Sequence, residues 1–365
     1  MPYRCLAVTT LALRAWLVRL EVAARQRVYR GLVSRLLVPF WPRTDLSGSS
    51  VETLADEAMP IPPAVLAAVP EALREPVSRL AETPDRLACR RISGRTIDVE
   101  PRSGALFFDG RWATEGPMRE LLPARRTHPD LTRFLRLRPM LREPVVVLHG
   151  GGDTSLDAFF TDLLPRFFSL DALDLPRDLL VIVPVSMAMT DPFQDAINDG
   201  VFRPRPIELM QPRRVTRTET VYRVDRPLLR RDVYERLWKR ISDVYSLDGS
   251  SAARPVFLCE GGAERAARLF AAWPQIADWL AHRGIEVIDP AALSLGKLVR
   301  RLWGAPLVMG PDTGEVSACV LGGPGLGRVI ELSTGRRDPK RYLLASTLGC
   351  GFALLPPSPA DWPGT

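Results

Sequence analysis

The chain is 365 residues long, 46% hydrophobic and 25% charged, an ordinary globular composition with length enough for two cores of usual domain size. Its formal net charge of +7 rests on arginine, since Lys239, Lys297 and Lys340 are the only lysines among 49 basic residues. Such a charge admits nucleic acid, an anionic surface or an anionic substrate, but no arginine tract is interleaved with aromatics and no zinc-finger or RNA-binding signature occurs, which sets nucleic acid aside.

From Leu6 to Leu37 a helical pattern places Leu13, Trp16, Leu17, Leu20, Ala24 and Val28 near one face, with Arg14, Arg25 and Arg30 elsewhere. Arginines recur too often there for a membrane span. The helix either packs on the body or lies at a membrane surface, and Phe40 and Trp41 at its end favour the surface slightly. Residues 46–87 read as a linker leading into short helices. Runs at Thr96 to Val99 and Ala105 to Phe108, with an Asp109-Gly110 turn, predict a small antiparallel β element.

At Pro144 the pattern changes. PVVVLHGGG is a buried strand running into glycines, followed at helical spacing by Leu156, Phe159, Phe160, Leu163, Leu164, Phe167 and Phe168. Pro165 inside that helix should kink it or end its first part. DLLVIVP (Asp178 to Pro184) is the next core strand, and residues 190–230 read as loops with an edge strand at Val221 to Val224. The last third alternates regularly: strands PVFLCE, IEVID, PLVMG, RVIEL and FALLP, separated by helices at Glu264 to Ala272, Pro274 to His282, Leu295 to Trp303, Val316 to Leu321 and Lys340 to Leu348. This order means crossover units and a parallel sheet covered on both faces, with ligands beyond the carboxyl ends of its strands.

Five cysteines, odd in number, far apart and in apolar surroundings, read as buried thiols of a reducing cytoplasm. Only His128, His149 and His282 are present, without paired spacing, so a histidine-rich metal site is set aside and carboxylate-held magnesium stays open. HGGG at 149–152 matches the oxyanion-hole string of esterases, but no GxSxG nucleophile elbow occurs. GGPGLG at 322–327 follows a helix and precedes a strand, the reverse of a phosphate-binding loop, and is a turn. The loop after PLVMG (Gly310, Pro311, Asp312, Thr313, Gly314) does sit between a strand and a helix, where backbone N–H groups can meet a diphosphate. Glu331 ends the next strand, placed either to accept from ribose hydroxyls or to pair with Arg336 or Arg337. Asp162 and Arg166, four apart on one helix, are either a surface ion pair or a cleft-facing base with its orienting cation.

Taken together these segments resemble the family 61 glycosyltransferases over roughly residues 88–356. AFFTDLLPR (Ala158 to Arg166) fits the second half of the family's HWxxDxLPR helix, and HRGIEVIDPAALSLGKLVRRLWGAPLVMGP with RVIEL echoes its later block. The family's His-Trp is Ala158-Phe159 here, its Ser-Arg is Cys259-Glu260, and its PHGAGL loop is Pro311 to Val316. The resemblance implies an α/β fold of two Rossmann-like lobes (GT-B-like), a nucleotide sugar, UDP-sugar foremost, in the cleft, a glycan acceptor, and no essential metal or cofactor. It implies Asp162 as base with Arg166, and a donor site from Glu260, Arg265, Gly310, Asp312, Thr313, Gly314 and Glu331. The expected division is a basic helical extension (1–45), the linker (46–87), an acceptor-side lobe (88–250), a nucleotide-sugar lobe (251–357) and a tail (358–365). The expected location is cytoplasmic, with peripheral contact to the inner face of the membrane through the N-terminal helix as the open alternative. A degenerate relative acting as a binding or assembly partner is the second expectation.

Overall fold

Strand β6 (Val145–Val147) is three valines, all buried. β-Branched side chains covered on both faces suit a central parallel strand. In the computed structural model β6 lies between β7 (Leu180–Pro184) and β9 (Thr216–Val224), parallel to both, and β8 (Ile207–Met210) pairs parallel with β7. Beyond β9 run the antiparallel β3 (Asp85–Val99), β4 (Leu106–Phe108) and β5 (Arg111–Ala113), then the short β1 (Arg43–Thr44), parallel to β5, while β2 (Ser50–Met59) also pairs antiparallel with β3. Together they form one nine-stranded mixed sheet. The structure describes residues 43–44, 50–82, 85–101, 104–109, 111–113, 140–148, 155–210, 215–224, 229–247, 254–271, 279–333 and 338–355. The expected helix at 6–37 and the HGGG at 149–152 lie outside them, as do Gly110 of the turn and Arg336 and Arg337.

Three expectations change in this half. The antiparallel strands are not a small separate element but continue into the parallel group through the β3–β9 pairing. The segment expected as an edge strand is the end of β9, in the interior of the sheet, with charged residues that hid it accommodated by partners. Arg217 donates to both oxygens of its cross-strand neighbour Asp98, at 2.9 and 3.3 Å, and buried Arg223 donates to the Gly104 carbonyl at 3.1 Å. The expected linker does contain short helices, Pro63–Ala67 and Arg74–Glu82, but Ser50–Met59 is a strand. Leu73 and Val77 of this region are buried against Tyr342 and Leu343, and the Tyr342 hydroxyl donates to the Val65 carbonyl.

The second sheet is wholly parallel: β10 (Val256–Leu258), β11 (Glu286–Ile288), β12 (Leu307–Pro311), β13 (Arg328–Leu332) and β14 (Gly351–Leu355), in the spatial order β11-β10-β12-β13-β14. All five strands fall where alternation predicts them. The stripe on helix Leu295–Leu302 buries Leu295, Leu298, Val299 and Leu302, as its spacing requires. Of the helix expected at Pro274 to His282, residues 279–282 are helical and the remainder lies outside the described residues. The strand order reverses between β10 and β12, and a crevice opens beyond the carboxyl ends at such a reversal.

One apolar core lies under both sheets, running from Val146, Phe160 and Phe167 through Trp238 and Ile241 to Leu298 and Val329. Hydrogen bonds pin its two ends together. Trp238 on helix Arg231–Tyr245 donates from Nε1 to the Val320 carbonyl at 2.7 Å, and Asp195 on helix Asp191–Asn198 accepts from the Leu295 N–H at 2.7 Å. Among the described residues, no helix is long and apolar enough to cross a membrane.

Candidate functional site

Gly310 closes the end of β12 against β10. A Cβ there would lie 2.6 Å from the Leu258 carbonyl oxygen and 2.8 Å from a Val316 methyl, so only glycine fits. The chain then turns through Gly314, whose φ of +122° also favours glycine, into the 3-10 helix Glu315–Gly322. This turn presents Thr313, Gly314 and Glu315 to the crevice. Glu315 is only 5% exposed, yet its carboxylate is supported: the Thr313 hydroxyl donates to it at 2.5 Å and Arg265 stands 3.9 Å away. Arg265 also pairs with Glu260 at 3.0 Å, so one guanidinium joins the ends of β10 and β12. Burial, with the Glu315 charge adding to it, pushes the neighbouring Cys259 thiol up to about 11.

The opposite wall comes from the first sheet. Ser155 caps the helix that follows β6, accepting from the Ala158 N–H at 3.1 Å. The helix then widens into a π-helical turn, Phe159–Leu163, in which the Leu164 N–H bonds to the carbonyl of Phe159, five residues back. Pro165 falls in the first turn of the next segment, Leu164–Ala172, where its missing donor is tolerated; the expected kink takes this form. Asp157 on the first turn accepts from the Ser317 hydroxyl across the crevice and packs against Gly314, where a Cβ would lie 3.0 Å from its own. Thr190, Asp191 and Pro192, beyond the carboxyl end of β7, complete this side. The cleft between the walls measures ≈ 290 Å³, at the small end for a ligand pocket.

Of the residues expected to bind a donor, Glu260, Thr313 and Gly314 line the cleft, and Arg265 reaches it through Glu260 and Glu315. Gly310 shapes the floor from inside the sheet. Asp312 and Glu331 lie beneath the surface, at 0% and 2% exposure. Glu331 pairs with Arg341, which also donates to the Asp312 carbonyl at 3.3 Å. Arg336 and Arg337, the partners expected for Glu331, lie outside the described residues. Asp162 and Arg166 do form an ion pair, at 2.7 Å, and Arg166 also donates to the Val224 carbonyl at 3.1 Å. The pair ties the π-helical turn to the end of β9 and does not line the cleft.

Asp157, Asp191 and Ser317 escaped sequence reasoning. Thr190-Asp191-Pro192 carried a usable signal, a threonine, acid and proline opening a helix just past a predicted strand. Asp157 and Ser317 are 160 positions apart and carried none. The described lining holds four carboxylates, Asp157, Asp191, Glu260 and Glu315, and no cation. Among the described residues, no cluster of three or more histidines, cysteines or acids is arranged to hold a metal ion. The cleft can thus accept hydrogen bonds from a hydroxyl-rich ligand, and Asp191, whose side chain makes no hydrogen bond or ion pair among the described residues, is free to take a proton. No protein-family model matches the chain, and no curated protein shows a significant match to it.

Proposed function

We propose that the chain is a glycosyltransferase that takes a sugar from a nucleotide-sugar donor, a UDP-sugar foremost, and passes it to a glycan acceptor in surface-polysaccharide synthesis. The observation that carries this reading is the convergence of polar groups from both sheets on one cleft at the strand-order reversal. On this reading the five-stranded sheet is the donor half and the mixed sheet the acceptor half of a GT-B arrangement. A cytoplasmic location belongs to the same reading.

Sugar hydroxyls donate to Glu260, Glu315 and Asp157, while Arg265 exchanges its carboxylate partners for the donor diphosphate as the leaving group gathers charge. Asp191 receives the acceptor hydroxyl proton as the acceptor oxygen bonds to the anomeric carbon. The anomeric bond to the diphosphate breaks with its electron pair, and the nucleoside diphosphate departs. Asp162, held by Arg166, is less suited to that role than Asp191, which makes no hydrogen bond or ion pair among the described residues.

Isothermal titration with UDP-, GDP- and CMP-sugars tests the reading, and absence of binding at millimolar concentration sinks it. Asp191→Asn is expected to abolish turnover while sparing donor affinity; undiminished turnover removes the base assignment. The four carboxylates of the described lining support a second reading, a degenerate relative that binds glycan without transferring sugar. Glycan binding with neither donor binding nor transfer distinguishes it.

A further inference from the structure

A second concavity, of ≈ 380 Å³, lies at the opposite end of β7 from the cleft. Its walls are the turn after helix Leu164–Ala172, the loop before β8 and the outer face of helix Arg231–Tyr245. Five cations line it: Arg177, Arg203, Arg236, Lys239 and Arg240. Arg240 is structural, donating to the Val201 carbonyl at 3.2 Å and to the Arg203 carbonyl, which fixes the loop to the helix. The side chains of the other four are exposed and make no hydrogen bond or ion pair among the described residues.

Acids are present in the same wall, but one is already neutralised. Asp171 is bound at 2.8 Å by Arg205, whose side chain is 1% exposed and which also donates to the Pro176 and Leu175 carbonyls at 2.6 and 3.0 Å. A buried arginine thus rigidifies the turn and cancels the nearest negative charge. Asp174 and Asp243 remain against these four exposed cations and Arg240. Surface cations are ordinarily spread apart or laced with acids, because like charges within a Debye length of ~8 Å repel. Their convergence on a preformed concavity is the arrangement that multidentate anion binding uses.

We propose that this groove binds a phosphate-bearing ligand, the phosphate meeting Arg177, Arg203, Arg236 and Lys239 together. Its position at the amino ends of β7 and β8 separates it from the catalytic reading of the cleft, which neither supports nor requires it. A soluble diphosphate and an anionic lipid headgroup offer the same chemistry. The test uses the full chain with two probes: titration with inorganic pyrophosphate, and co-sedimentation with phosphatidylcholine vesicles with and without phosphatidylglycerol. Arg236→Glu with Lys239→Glu is expected to weaken binding about tenfold or more, and Lys297→Glu, an exposed reversal on another face, to leave it unchanged. Sensitivity in the pyrophosphate arm identifies a soluble ligand, and sensitivity confined to the phosphatidylglycerol vesicles identifies a headgroup. Equal weakening by Lys297→Glu, or no binding of either probe by the wild-type chain, overturns the proposal. Unchanged circular dichroism and thermal midpoint in the double variant keep a folding defect from passing for lost binding.

Discussion

Glu331 is an acid kept almost dry. Burial pushes its carboxyl up to about 7, against the opposing pull of Arg341, so between the ordinary carboxylate range and neutrality the folded chain holds a proton that the unfolded chain has released. Stability from this group is therefore greatest at acid pH and is lost as pH rises through about 7. Urea midpoints measured from about pH 5.5 to about pH 8 are expected to fall less steeply in Glu331→Gln than in the wild type; parallel profiles would show that the burial is not felt. Gly310 makes a second demand at this scale. Gly310→Ala drives a methyl into the Leu258 carbonyl and is expected to cost about 1–3 kcal/mol by urea unfolding. Because the residue precedes the Thr313 turn, the proposed donor affinity should drop with it.

Elements are joined to one another by groups that neither carries for itself. Helix Leu295–Leu302 starts at Ser294, whose side chain makes no capping bond, and the Leu295 N–H is instead received by Asp195 of helix Asp191–Asn198. That single acceptor ties a helix of the parallel sheet to the helix that carries Asp191 into the cleft. Asp195→Ala is expected to cost about 1 kcal/mol, as loss of a helix cap does, and, on the proposed transferase reading, to raise the KM for acceptor through displacement of Asp191. A stability loss with unchanged kinetics would separate the cap from the site. The π-helical turn is a further coupling, since Arg166 ties its Asp162 partner to the end of β9 while Asp157, just before the turn, accepts from Ser317 across the crevice.

At the scale of the molecule, the two sheets share one core, and Leu73 and Val77 of the segment between Pro63 and Glu82 are buried against Tyr342 and Leu343 of the last helix, Lys340–Leu348. Removing either sheet would expose the apolar face of the other. Unfolding is expected as one cooperative transition, with far-ultraviolet circular dichroism and tryptophan fluorescence coinciding; two resolved transitions would mean that the shared core does not couple the sheets. The alternation from Val256 to Leu355 is legible in the residues alone, because short buried strands and amphipathic helices are local patterns whose period survives without knowledge of neighbours. It also located Thr313 and Gly314 at a strand's carboxyl end. The interior place of β9, the strand at Ser50–Met59, the pairing of Arg341 with Glu331, and the presence of Asp157 and Asp191 rather than Asp162 in the cleft lining emerge from the folded arrangement alone. These placements rest on elements brought together from distant parts of the chain, and a charged side chain reads as exposed until its buried counter-ion or carbonyl is in place.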